Sequence, residues 1–102
     1  ESKSLQLEFN SDAFSDDLRL YQNIPNPFQH ATVVPFFINY NAHITCTVTD
    51  MNGKTVYVES GNYDKGYHEI NIQKKQLPSS GIYYYHLQTD KNRVFRRMIL
   101  ID

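Results

Sequence analysis

The chain has 102 residues, the length of one domain with a modest core. Ten Lys and Arg against eleven Asp and Glu leave a formal charge of -1, which excludes a basic nucleic-acid surface and a polybasic membrane anchor. The single cysteine, Cys46, excludes an internal disulfide and a multi-cysteine zinc site, and no apolar run is as long as a membrane span. Aromatic residues make up 14%, and with abundant Thr, Val and Ile they favour strands.

Residues 1–17 stand apart. Leu5, Leu7 and Phe9 alternate with polar neighbours, as in a short strand, and the Ser- and Asp-rich stretch after them reads as a loop. This segment is expected to be a linker or an extra N-terminal strand, with residues 18–102 forming the domain proper. The opening Glu-Ser-Lys-Ser is no signal peptide, so an export leader would lie upstream, or the domain itself would be the address. A short apolar stretch at 18–22 leads into Ile24-Pro25-Asn26-Pro27-Phe28, where two prolines forbid a helix and predict a rigid extended turn.

The first long strand is predicted over 32–40, with Val34, Phe36 and Ile38 on one face. Pro35 cannot donate to a ladder, so this strand is expected to be an edge or to carry a bulge. Asn41-Ala42 would turn the chain. Ile44, Cys46 and Val48 then alternate with threonines, and Asn52-Gly53 is the strongest hairpin signal. The return over 54–60 is expected to point Val56 and Val58 inward, with a loop over 61–66.

The next strand, 67–72, carries His68, Ile70 and Ile72 on one face, and a connection over 74–81 follows. Strand 82–89 puts Tyr83, Tyr85 and Leu87 together, and a polar turn over 90–93 precedes the last strand, 94–101. About seven strands punctuated by turns predict an all-β, immunoglobulin-like antiparallel sandwich.

Chemistry is sparse. The four histidines show no metal-binding spacing; His68 reads as a packed core residue and His86 as a surface one. Asp50 reads as a turn residue bonding backbone rather than as a calcium or catalytic carboxylate. Cys46 reads as a small buried hydrophobe. Ser79-Ser80-Gly81 lacks the strand-turn-helix setting of a nucleophile elbow. Tyr84, Phe37, Tyr57 and Tyr67 are expected on the outside. No catalytic residue, metal site or cofactor is expected.

At this point an ordered set of motifs emerges. Residues 20–28, Leu-Tyr-Gln-Asn-Ile-Pro-Asn-Pro-Phe, include Pro25, Asn26 and Pro27. Asp50 and Gly53 form an Asp-x-x-Gly hairpin, and Gly66 precedes His68 by two. Gly81, Tyr83 and Leu87 sit in a Leu-x-x-x-Gly-x-Tyr-x-Tyr-x-Leu segment over residues 77–87, and Arg97-Met98-Ile99-Leu100-Ile101 forms the closing stretch before Asp102. Together they resemble the type A C-terminal sorting domain of the type IX secretion system of Bacteroidetes, over about residues 20–101. Two departures stand out: Arg97 where Lys is commoner, and Asp102 where a basic or polar residue is usual.

The resemblance implies an address rather than an enzyme. The domain would follow a larger N-terminal cargo in the same parent chain. It would be recognised in the periplasm by shuttle, outer-membrane translocon and sortase proteins, and would direct the cargo to the cell surface or beyond. Recognition is expected at the last two strands and the chain end: Arg96, Arg97, Met98, Ile99, Leu100, Ile101 and Asp102. Because Arg96 and Arg97 alternate, only one is expected to point inward. Pro25, Asn26, Pro27, Asp50, Gly53, Gly81, Tyr83 and Leu87 are expected mainly to serve the fold. A carbohydrate-binding or adhesion module is the alternative, since exposed tyrosines on a sheet could stack on sugars.

Overall fold

The computed structural model describes residues 17–102, so the expected strand around Leu5, Leu7 and Phe9 lies outside the described residues. Seven strands follow in order: β1 Leu18–Leu20, β2 Ala31–Ile38, β3 Ala42–Thr49, β4 Thr55–Tyr63, β5 Gly66–Gln73, β6 Gly81–Gln88 and β7 Arg93–Leu100. One antiparallel sheet runs β1-β2-β5 and the other β4-β3-β6-β7. This is the expected immunoglobulin-like sandwich.

The period-2 residues meet between the sheets. Leu18, Leu20, Val34, Phe36, Ile38, Ile44, Cys46, Val48, Ile70, Ile72, Tyr83, Tyr85, Leu87, Val94, Met98 and Leu100 are all buried in one cluster. Each large side chain removed from water contributes roughly 1.5–3 kcal/mol, and this layer is the main source of stability. Burial also pushes the Cys46 thiol up to about 12, with Glu59 adding to the effect.

Several local expectations need correcting. Pro35 sits in the middle strand of its sheet, not at an edge. Its C=O accepts from Tyr21 N–H, so its nitrogen also faces β1, where the missing donor costs one bond on one side only. β1 stops there: Leu20 pairs with Phe36, but the next bridge joins Ile24 to Val33, a one-residue slip.

Val58 is 52% exposed rather than inward, and Tyr57 packs against the core rather than outside. A register shift between Val48 and Thr49, which places Val48 opposite Tyr57 and Thr49 opposite Thr55, leaves Val56 as the extra residue, packed against the core as expected, and puts Tyr57 rather than Val58 on the inward face. Residues 61–63 are strand, not loop; the chain changes sheets at Asp64-Lys65. Ala42 already belongs to β3, so the preceding turn lies over 39–41.

The β3–β4 hairpin is built as its residues suggest. Asp50 Oδ1 accepts from the N–H of Asn52 and Lys54, both at 2.9 Å, and Gly53 takes φ +85°. In the β6–β7 turn Thr89 Oγ1 accepts from the N–H of Lys91 and Asn92. His68 is half-buried at the rim of the core, its ring 5.5 Å from that of Phe36 and 5.0 Å from that of Tyr63.

Candidate functional site: the last strand and the strap across it

β7 reads Arg-Val-Phe-Arg-Arg-Met-Ile-Leu, and strand alternation divides it cleanly. Val94, Met98 and Leu100 are buried, and Arg96 shares their face. Arg93, Phe95, Arg97 and Ile99 point to the outer face of the sheet, with Ile101 and Asp102 exposed beyond it. Arg96 and Arg97 therefore separate as expected. Arg96 Nε donates to Leu20 C=O at 2.6 Å, tying β7 to β1 of the opposite sheet.

β7 is an edge strand, bonded to β6 on one side. Its other side is partly occupied. Phe28 N–H donates to Ile99 C=O at 3.0 Å, and Ile101 N–H donates to Phe28 C=O at 2.9 Å. Asn26 Oδ1 accepts from Ile99 N–H at 3.0 Å, and Gln22 Nε2 donates to Arg97 C=O at 2.7 Å. Gln29 Nε2 reaches Asp102 C=O at 2.9 Å. Residues 22–29 thus form a strap along the second half of the strand, and Phe28, 1% exposed, anchors it in the core.

The strap is itself held by a buried polar cluster. Asn23 is 2% exposed, and its Nδ2 donates to Pro25 C=O and Thr32 Oγ1. Thr32 Oγ1 donates to Pro25 C=O. The Tyr85 hydroxyl accepts from Asn23 N–H and donates to Tyr21 C=O, each at 2.9 Å. Burial pushes this phenol up to about 12, while the Asn23 N–H and the Arg96 guanidinium pull the other way. Pro25 and Pro27 suit the strap because they bring no N–H needing a partner, and both of their peptide bonds are cis.

Above the sheet, Phe95 packs against Tyr84 and His86, with ring centroids at 6.4 Å and 5.5 Å. His86 faces outward as expected but is half-buried, and its Nδ1 is enclosed with no hydrogen-bond partner. Burial, helped by Arg93, lowers its pKa.

The remaining motif residues serve the frame. Tyr83 Oη donates to Ser79 C=O, Leu87 is buried, and Gly81 opens β6 at φ +149°. Sequence reasoning missed Gln22, Asn23 and the Tyr85 hydroxyl as the parts that join the two ends of the domain. Arg93 and Phe95, which it did not single out, share the outward parity of Arg97.

A family model described as the secretion system C-terminal sorting domain matches residues 23–101, from within the strap to just past the end of β7. The chain belongs to this family. The sorting domain is the C-terminal signal for type IX secretion, and its family is not catalytic. Membership brings a type IX secretion system, linkage to a cargo, and export toward the cell surface or extracellular space.

No curated protein matches the chain. Among solved structures, a β-glucosidase from Kluyveromyces marxianus is similar at 9% identity and a TM-score of 0.54, over 84% of this chain and 14% of that one. That likeness concerns the fold alone.

Nothing in the sorting domain favours the carbohydrate-binding alternative. Tyr83 and Tyr85 are buried, and Tyr57 and Tyr63 pack against the core rather than forming an exposed platform. Among the described residues no helix is long and apolar enough to cross a membrane.

Proposed function

We propose that residues 18–102 act as a folded address for an N-terminal cargo, with residues 1–17 as the linker or an extra strand. In this reading the domain is recognised in the periplasm by a shuttle and the outer-membrane translocon, and a sortase then acts on it at the surface. The observation that carries it is the family match across residues 23–101.

The recognition surface is β7 and the residues after it. Their outward side chains, Arg97, Ile99, Ile101 and Asp102, are available to a receptor, whereas Met98 and Leu100 are core and Arg96 is engaged with Leu20. Pro25, Asn26, Pro27, Asp50, Gly53, Gly81, Tyr83 and Leu87 support that surface through the fold.

The test is export of a fluorescent reporter bearing a signal peptide and this chain at its C-terminus, in hosts with and without a working type IX system. Surface or medium fluorescence only in the competent host is the expected result. Retention in both hosts, with the domain folded, would refute the reading. Point substitutions are better follow-ups than truncation: removing residues 100–102 deletes the buried Leu100 and the Ile101 and Asp102 bonds to the strap.

A further inference from the structure

We infer that the half of the β7 edge left open by the strap, centred on Phe95, is a docking edge for an extended, acidic segment of a partner protein; this refines the sorting-signal reading and rests on it. The backbone supplies the first argument. Ile99 spends both its N–H and C=O on the strap, so the odd positions of β7 direct these groups away from β6. Phe95 shares that parity, and among the described residues nothing bonds its outward N–H and C=O. An edge strand with such groups is a template for one more strand.

The strap also sets the register. Gln22 already occupies Arg97 C=O, so an added strand is stopped at Arg97 and must pair over 93–97. Arg93, Phe95 and Arg97 project from one face, spaced about 7 Å apart by strand geometry. No carboxylate among the described residues pairs with Arg93 or Arg97. Two unneutralised guanidiniums flanking an aromatic ring fit a strand with carboxylates at its first and fifth positions and an apolar residue at the third. The opposite edge strand of this sheet, β4, contains no arginine.

The experiment uses the reporter fusion in the competent host. Phe95→Pro removes the outward N–H without touching the β6 ladder, a position where a sheet tolerates proline. Arg93→Glu with Arg97→Glu reverses the charge, and Arg93→Lys with Arg97→Lys retains it. Purified chains are melted to confirm folding. Export is expected to fall at least tenfold for Phe95→Pro and for the Glu pair, and to stay within twofold for the Lys pair. Wild-type export by folded Phe95→Pro refutes strand addition, and wild-type export by the Glu pair refutes the acidic partner; equal losses from the Lys and Glu pairs also refute charge reading. If Phe95→Pro does not fold, the two arginine pairs decide. Failure of the unsubstituted chain to be exported would instead refute the underlying sorting-signal reading.

Discussion

The Tyr85 hydroxyl offers the sharpest test of how the two ends of the domain are held together. Tyr85→Phe removes one oxygen from a fully buried ring and leaves its packing intact. The Asn23 N–H, in a residue only 2% exposed, loses its acceptor, and Tyr21 C=O loses this donor. A stranded buried group costs about 1–3 kcal/mol, and a satisfied bond contributes about 1 kcal/mol net. The gain from no longer burying a hydroxyl offsets part of this. The expected loss is therefore about 2–3 kcal/mol, which for a domain of this size lowers Tm by roughly 10–20 °C. Urea unfolding followed by far-UV circular dichroism measures it by linear extrapolation. Tyr83→Phe is the control, because its hydroxyl bonds only the backbone of Ser79 in a loop, and a smaller loss is expected there. A loss below about 0.5 kcal/mol for Tyr85→Phe, no more than a typical surface substitution, would show that the hydroxyl does not pin the strap.

Asn26→Ala removes the acceptor of Ile99 N–H, so a loss of about 0.5–1.5 kcal/mol and concentration-dependent self-association by light scattering are expected; a strictly monomeric variant would count against edge protection. Gly53→Ala must adopt φ +85° and is expected to cost about 1 kcal/mol, as is Asp50→Ala, which loses two backbone N–H bonds; unchanged urea midpoints would contradict this. Cys46 and Tyr85 have folded pKa values raised from 9.0 and 10.0 to about 12, so the stability they contribute is complete below pH 9 and is lost as pH rises toward 12. The expected slope approaches about 1.36 kcal/mol per pH unit per group between the two pKa values, and a flat profile from pH 8 to 11 would refute it. Iodoacetamide at pH 8 should label Cys46 only after unfolding.

Alternation made most of the sandwich legible. In β3 the apolar parity alternates with His and Thr, so Ile44, Cys46 and Val48 could be placed from spacing alone; in β6 the other parity holds the half-buried Ile82 and Tyr84, yet Tyr83, Tyr85 and Leu87 share the buried face as expected. β4 resisted because both parities carry bulky residues: Val56 and Val58 on one, Tyr57 and Tyr63 on the other. What decides between them is the slip beside Val48, a property of the pair of strands that no single-strand pattern contains. Pro35 misled because the rule against proline in central strands counts bonds on both sides, while here the deficit falls only on the side where β1 ends. The parity of Arg96 and Arg97 was readable. The strap was not, since the bond from Ile99 to Asn26 spans 73 residues and Asn26 between two prolines looks locally like any turn residue.

That separation bears on how a domain can serve as an address. The matched span begins in the strap and ends just beyond β7, two segments distant in sequence but joined by backbone and side-chain bonds. An unfolded chain presents Arg93, Phe95 and Arg97 as an ordinary basic stretch, with Gln22 and Asn26 elsewhere. Folding orders the arginines on one face, closes the edge from Arg97 onward, and leaves a short template of fixed register. A receptor that reads this edge would therefore discriminate against unfolded cargo tails without a separate inspection step. The closed part matters as much as the open one: an unprotected edge would offer pairing at several registers, including to other copies of the domain, and the signal would lose specificity.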